Sequence, residues 1–179
     1  MAGKTTPNQQ AVLTVSHRHF VYRSQAKFET EGRKVPSRGK LVAVFILDLS
    51  LARPQNATRH ALGWQLHADR KALLDVMALQ WSQQRHDFEG VLPLEGRPQV
   101  NAVRFSSRAP DPYSNFGKEA IDCLQPARVR RWKGRVLRVP GLGLIANDSP
   151  TDIEEHQWHH PIKRGDLGYV YLEVRSDAL

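Results

Sequence analysis

Residues 104–124 read RFSSRAPDPYSNFGKEAIDCL, and after a basic stretch residues 141–152 read GLGLIANDSPTD. The first run opens as a strand, turns at Ala109-Pro110-Asp111-Pro112 and enters a short helix, expected over residues 113–124. On such a helix Asn115, Lys118 and Asp122 recur at i, i+3 and i+7 and share one face. Phe116, Ala120 and Leu124 line the opposite face. A short helix of this pattern docks its apolar stripe on a core and presents the polar stripe. Asp111 lies just before that stripe, and Asp148 arrives on a later loop beside the Ser149-Pro150 turn. Two acids, an amide and a lysine near a helix start suit a hard cation and a phosphate, because Mg²⁺ takes oxygen ligands. The same residues have a plainer reading. Asp111 followed by Pro112 is an ordinary N-cap and first helical position.

The remainder of the chain bounds what this stretch serves. A length of 179 residues suits one domain with a real core, or a domain with a tail. The longest apolar run, residues 41–47, is far too short to span a membrane. The opening residues, MAGKTTPNQQ, lack an apolar signal region, so a cytoplasmic location is expected. The single cysteine, Cys123, excludes an internal disulfide and fits a reducing compartment. A formal charge of +8 points to a polyanionic partner. His156, His159 and His160 cluster without a cysteine or a second spaced histidine pair, which leaves four-ligand zinc unsupported. No Gly-rich phosphate loop and no Gly-any-Ser-any-Gly turn occurs.

The charge is unevenly placed. Residues 1–40 hold eight Lys/Arg against Glu29 and Glu31, and so supply most of the net excess. They read as a basic N-terminal arm or extension, with a Gly/Pro/Ser linker at 32–39, ahead of a domain at 41–179. Residues 41–51, LVAVFILDLSL, form a β-branched apolar run that suits a strand covered on both faces. Residues 64–84 place Leu66, Leu73, Met77 and Trp81 at helical spacing, as a docked helix requires. Residues 91–98 read as a loop. Residues 100–107 read as a strand with Asn101, Val103 and Phe105 on one face. Residues 168–175 alternate cleanly, with Val170, Leu172 and Val174 inward. A strand–helix–loop–strand–helix–strand order implies an α/β or α+β fold, a small mixed sheet with packed helices.

Between the two quoted runs lies a basic insert, 126–140, read as a hairpin around Lys133-Gly134. Arg128, Arg130, Arg131, Lys133 and Arg135 surround Trp132, and basic residues interleaved with an aromatic suit contact with DNA strands. Charges that protect an edge hairpin from aggregation are the alternative.

The spacing of the quoted stretch resembles the RusA-like family of Holliday junction resolvases. The family motif runs Asp-any-Asp-Asn-any-any-Lys, with a further Asp toward the end of the same helix and an Asp-Asp pair on the next loop. Here Asn115 and Lys118 keep the Asn-to-Lys step, Asp122 stands near the helix end, and Asn147-Asp148 takes the place of the acidic pair. The two earlier acids fall instead on Pro112 and Ser114, with Asp111 one residue out of register. The resemblance spans residues 41–175 and leaves the first forty unaccounted for.

The resemblance implies a homodimer acting on branched DNA, a four-way junction above all. The implied reaction is Mg²⁺-dependent phosphodiester hydrolysis by an endodeoxyribonuclease of a bacterial or phage-infected cell. Asp111, Lys118 and Asp148 would carry the catalysis. Asp111 and Asp148 would hold the Mg²⁺, with Asp152 or Asp122 completing the shell, while Asn115 would steady the loop at the DNA contact. Two rival expectations remain: a non-catalytic junction binder of the same fold, and a basic RNA-binding protein whose acids only cap helices.

Overall fold

The computed structural model describes residues 27–52, 63–110, 115–132 and 134–177, with side chains described except at 63–67, 87, 130, 132, 135 and 137. The chain divides into two compact units, residues 1–34 and 35–179, so the boundary falls before the residue 40 expected from composition. Of the first unit, Phe28–Gly32 forms a single π-helical turn. Arg33 lies over the Phe28 ring at 4.5 Å and pairs with Glu29 at 2.6 Å. The expected strand or extended segment at 11–22 lies outside the described residues.

The second unit is α+β. Its strands are β1 (Lys40–Asp48), β2 (Gln99–Ser106), β3 (Arg128–Trp132), β4 (Arg135–Val139), β5 (Glu154–Pro161) and β6 (Tyr169–Ser176). Its helices are α1 (Gly63–Gln84), followed by a 3-10 turn at Arg85–Asp87, and α2 (Lys118–Leu124). Four strands form one mixed sheet in the order β1-β6-β2-β5, and β3-β4 is a separate hairpin. Strand β6 runs antiparallel to both β1 and β2, while β5 lies parallel to β2 at the other edge.

Register sorts the side chains into two faces, since paired residues share a side. One face carries Ala43, Phe45 and Leu47 of β1, Val170, Leu172 and Val174 of β6, and Val100 and Ala102 of β2. These join Leu73, Met77 and Trp81 of α1 and Ala120, Ile121 and Leu124 of α2 in one core. The helical stripe and the inward set of the closing strand therefore meet as their periodicities require. The other face holds Val44, Ile46, Tyr171, Val103 and Phe105, and these are buried too. Both central strands and β1 thus lack a wet side. That is why β1 reads as a continuous apolar run rather than an alternation.

Strand β1 stops at Asp48 rather than running on to residue 51. The Asp48 carboxylate accepts from the Ser50 N–H at 2.7 Å, and the amides of Leu51 and Ala52 fold back onto the Asp48 carbonyl. Strand β5 was not expected. EEHQWHHP lacks the apolar alternation that marks a strand, and its pairing with β2 is long-range.

Strand β1 is an edge, and helix α1 closes it with side-chain amides. Gln80 donates to the Ile46 carbonyl and accepts from the Ile46 N–H, both at 2.8 Å. Gln84 makes the same pair of bonds to Val44, both at 2.7 Å. The spacing works because four helical residues advance about 6 Å while two strand residues advance about 6.6 Å. Two glutamines at i and i+4 therefore match two outward-facing peptide groups at i and i+2, as a further strand would.

Gln80→Leu should destabilise the fold by about 1–3 kcal/mol through two buried peptide groups left unmatched. Equilibrium urea unfolding measures this, and a loss within error would make the clamp incidental. The hydrogen bonds from Ser50, through its side chain and its amide, hold the Asp48 carboxyl below its ordinary value. A carboxyl lowered in the folded state contributes stability that is full above the unfolded value and lost as pH falls through the folded one. Asp48→Asn should accordingly lower the melting temperature at neutral pH and flatten its acid limb, while the most acidic values, where Asp48 is already protonated, change little.

Candidate functional site

Helix α2 begins at Lys118, not at residue 113, with Gly117 in the capping position. The expected Asp111-Pro112 start therefore does not open this helix; both residues lie outside the described residues. Asn115 precedes the helix rather than sharing its face. The apolar half of the pattern holds: Phe116, Ala120 and Leu124 are buried.

Asn115 is instead held by β5. The Gln157 carboxamide accepts from the Gly117 N–H at 3.0 Å and donates to the Asn115 Oδ1 at 2.6 Å, and it also donates to Glu155. Gly117 permits the approach. A Cβ there would lie 3.0 Å from the Ala102 Cβ and 3.1 Å from the Gln157 side chain. Gln157 and Glu155 were not singled out from the sequence. Their signal was the period-two placement of Glu155, Gln157 and His159 on one side of a strand that did not read as one.

Lys118 and Asp148, thirty residues apart, meet directly. The Lys118 ammonium pairs with the Asp148 carboxylate and lies 2.9 Å from Asp122 Oδ1. Arg70, from α1, sits 3.6 Å from the other Asp122 oxygen and 3.4 Å from the Asp122 carbonyl. The result is an alternating row, Arg70–Asp122–Lys118–Asp148, each member partly shielded from solvent. Two cations against two carboxylates leave the row neutral, and a neutral row tolerates partial burial.

The loop that delivers Asp148 is braced by Asp152. One Asp152 oxygen accepts from Asn147 Nδ2 at 3.1 Å and from the Ser149 hydroxyl. The amides of Asp152 and Ile153 close onto the Ser149 carbonyl at 2.9 and 3.0 Å. Asn147 and Asp152 thus both structure the turn. Asp148 and Glu155, with Arg97 and His156, line a cavity of about 470 Å³ next to the row. Arg97 is anchored by a bond from its Nε to the Ile153 carbonyl at 3.2 Å. His156 pairs with Glu154 at 2.9 Å and helps hold that carboxyl below its usual range, together with Arg38.

Three histidines of β5 do not converge. His156 and His160 fall on one side of the strand by register and His159 on the other, where it meets the Ser106 carbonyl at 2.9 Å. Among the described residues no group of three His, Cys, Asp or Glu could hold a metal ion, and Asp111 is not among those residues.

The basic insert is a hairpin, as expected, with Gly134 at a positive φ of 75° in its turn. Arg128 bonds the Gln125 side chain at 3.0 Å. Arg130, Trp132 and Arg135 hold strand positions, but their side chains, like all of Lys133, lie outside what is described.

Fold and site together define a small α+β domain. It carries a neutral row of ionic side chains beside a polar cavity, and a basic ribbon rooted at the end of the same short helix. No family model, curated protein or solved structure matches the chain. No helix among the described residues is long and apolar enough to cross a membrane.

Cys123, on the buried side of α2, reports on how firmly that helix is seated. Burial pushes its thiol up to about 12, so the native protein should resist thiol reagents at neutral pH. Gln157→Leu should free the 115–117 turn, destabilise the fold by on the order of 1–2 kcal/mol and speed Cys123 labelling. Labelling kinetics test this, and equal rates in both proteins would detach Gln157 from the seating of α2.

Proposed function

We propose that the chain is a Mg²⁺-dependent endonuclease that cuts branched DNA, four-way junctions above all, by phosphodiester hydrolysis. The observation that carries this reading is the meeting of Lys118 with Asp148, which itself lines a cavity shared with Arg97 and Glu155. A strong net positive charge adds a polyanionic partner.

In this reading Lys118 exchanges part of its hold on Asp148 for a phosphate oxygen and stabilises negative charge growing there. Asn115, fixed by Gln157, keeps the approach to α2 in place while the strand enters. Arg97 offers a second contact for the backbone. Asp148 and Glu155 both line the cavity, and carboxylate oxygens are the donors a hard cation takes. Asp148 would hold the ion, with Asp111 as the resemblance implies. When bound, Mg²⁺ supplies acidification of water and relief of phosphate charge. Cutting both strands symmetrically at a junction calls for two sites related by a two-fold, so the working form is a homodimer.

A second reading, a junction binder without cleavage, has its own support. Every site carboxylate on α2 and the 147–152 loop is already engaged: Asp122 by Lys118 and Arg70, Asp148 by Lys118, and Asp152 by Asn147 and Ser149.

Purified protein should nick a synthetic four-way junction in Mg²⁺ and stop when EDTA is added. Asp148→Asn should abolish nicking while junction affinity holds or rises, because repulsion from phosphate falls. Lys118→Ala should slow nicking by two to three orders of magnitude, the usual loss for one electrostatic donor. Tight junction binding with no nicking by the parent protein would select the second reading. Cleavage unaffected by EDTA would overturn the metal-dependent mechanism.

A further inference from the structure

The ribbon formed by β3 and β4 has two faces of different make-up. Cross-strand register pairs Val129 with Arg138 and Arg131 with Val136 on one of them. Each strand contributes one valine and one arginine in a diagonal pattern. Val129 is 65% exposed and Val136 is 61% exposed, so no described residue covers this face. Arg131 and Arg138 are exposed as well. The other face begins with Arg128 opposite Val139, and the register places both at the root of the ribbon. The ribbon is therefore sided, with its open side made of two aliphatic and two guanidinium groups.

The root of the ribbon is tightly fixed. The amides of Leu142, Gly143 and Leu144 return to the carbonyls of Cys123, Gln125 and Leu124 at 2.7–3.0 Å. Gly141 passes so close that a Cβ there would lie 2.0 Å from the Gln125 carbonyl oxygen. A hairpin of this size is marginal on its own in water, and this anchoring gives it a defined direction. Helix α2 separates that root from Lys118 by about 9 Å, and five-residue strands reach roughly 16 Å further.

We infer that the Val129/Arg131/Val136/Arg138 face enters the major groove of a DNA duplex arm while the Lys118–Asp148 site meets the backbone nearby. This rests on the nucleic-acid reading proposed above and adds which surface reads the duplex. Charge complementarity selects the occupant, because residues 126–140 contain six Lys/Arg and no acid. Shape agrees, since a major groove about 12 Å wide admits a two-stranded ribbon. The face also carries the two groups suited to that groove. Guanidinium forks match guanine O6 and N7 or flanking phosphates, and valine methyls match the thymine methyl.

The test is dimethyl sulfate footprinting of the full chain on a four-way junction and on linear duplex, which reads guanine N7 in the major groove. The parent protein should protect N7 over a few base pairs of one arm. Arg131→Gln/Arg138→Gln should lose that protection and weaken duplex affinity on the order of tenfold or more. Its slope of log affinity against log salt should be shallower by roughly 0.9 for each phosphate no longer neutralised. Lys163→Gln/Arg164→Gln, an equal change of charge on the exposed β5–β6 turn, should keep the N7 footprint. Unprotected N7 in a bound parent complex, or an undiminished footprint in the Arg131/Arg138 variant, would overturn the inference. So would a dimer, detected by sedimentation, that the same variant dissociates, because the face would then belong to a second copy. Nicking without N7 protection would sink the inference and leave the endonuclease reading standing. N7 protection without nicking would do the reverse, and absence of all DNA binding would remove both.

Discussion

An edge strand leaves every second peptide group without a partner, and here that need is met by two glutamines. Gln80 and Gln84 answer the outward N–H and C=O of Ile46 and Val44, in effect placing a strand's hydrogen bonds on a helix. The clamp is directional in a way that apolar packing is not. It sets α1 along β1 to within one helical turn, because shifting the helix would strand four buried polar groups. Leu73, Met77 and Trp81 then meet the sheet at defined places, and Arg70 arrives beside Asp122. The position of the ionic row therefore descends from the closing of an edge. The same closure keeps this stretch of β1 from recruiting a strand of another molecule.

The ionic row shows how a site is assembled from weak parts. Partly exposed ion pairs contribute modestly to stability, so Arg70, Asp122, Lys118 and Asp148 do not hold the fold together. What holds them is the seating of α2 through Ala120, Ile121, Cys123 and Leu124, and the Gln157 carboxamide that grips the turn before it. Charge in such a row is available for exchange. A phosphate that approaches Lys118 competes with a carboxylate for the same ammonium, at little loss to the core.

The ribbon follows a different logic. Its Val129/Arg131/Val136/Arg138 face lies exposed, its charged residues are all basic, and hydrogen bonds fix its root. On that face two valines and two arginines meet solvent rather than the core.

How much of this was legible beforehand depended on whether a residue's role was local. The apolar run at β1, the helical stripe of α1, the alternation of β6 and the two basic strands around Gly134 all express a period that neighbours impose on one another, and each formed as its pattern required. The polar exceptions did not read that way. Gln80 continues the stripe three residues after Met77, and Gln157 alternates with Glu155. Yet an amide in such a position announces nothing until the peptide group it must satisfy is known. Strand β5 was hidden for the same reason, since its pairing to β2 joins residues more than fifty apart and its own side chains are polar. Asn115, Lys118, Asp122 and Asp148 could be singled out by type and spacing. Their partners could not, because Arg70 and Gln157 arrive from elements remote in the chain. The chain by itself determined β1, α1, β2, β6 and the basic hairpin through short-range periodicity, while β5 took shape only against its partner. Only the tertiary structure decided which polar groups face one another, because a hydrogen bond or ion pair is specified by two places at once.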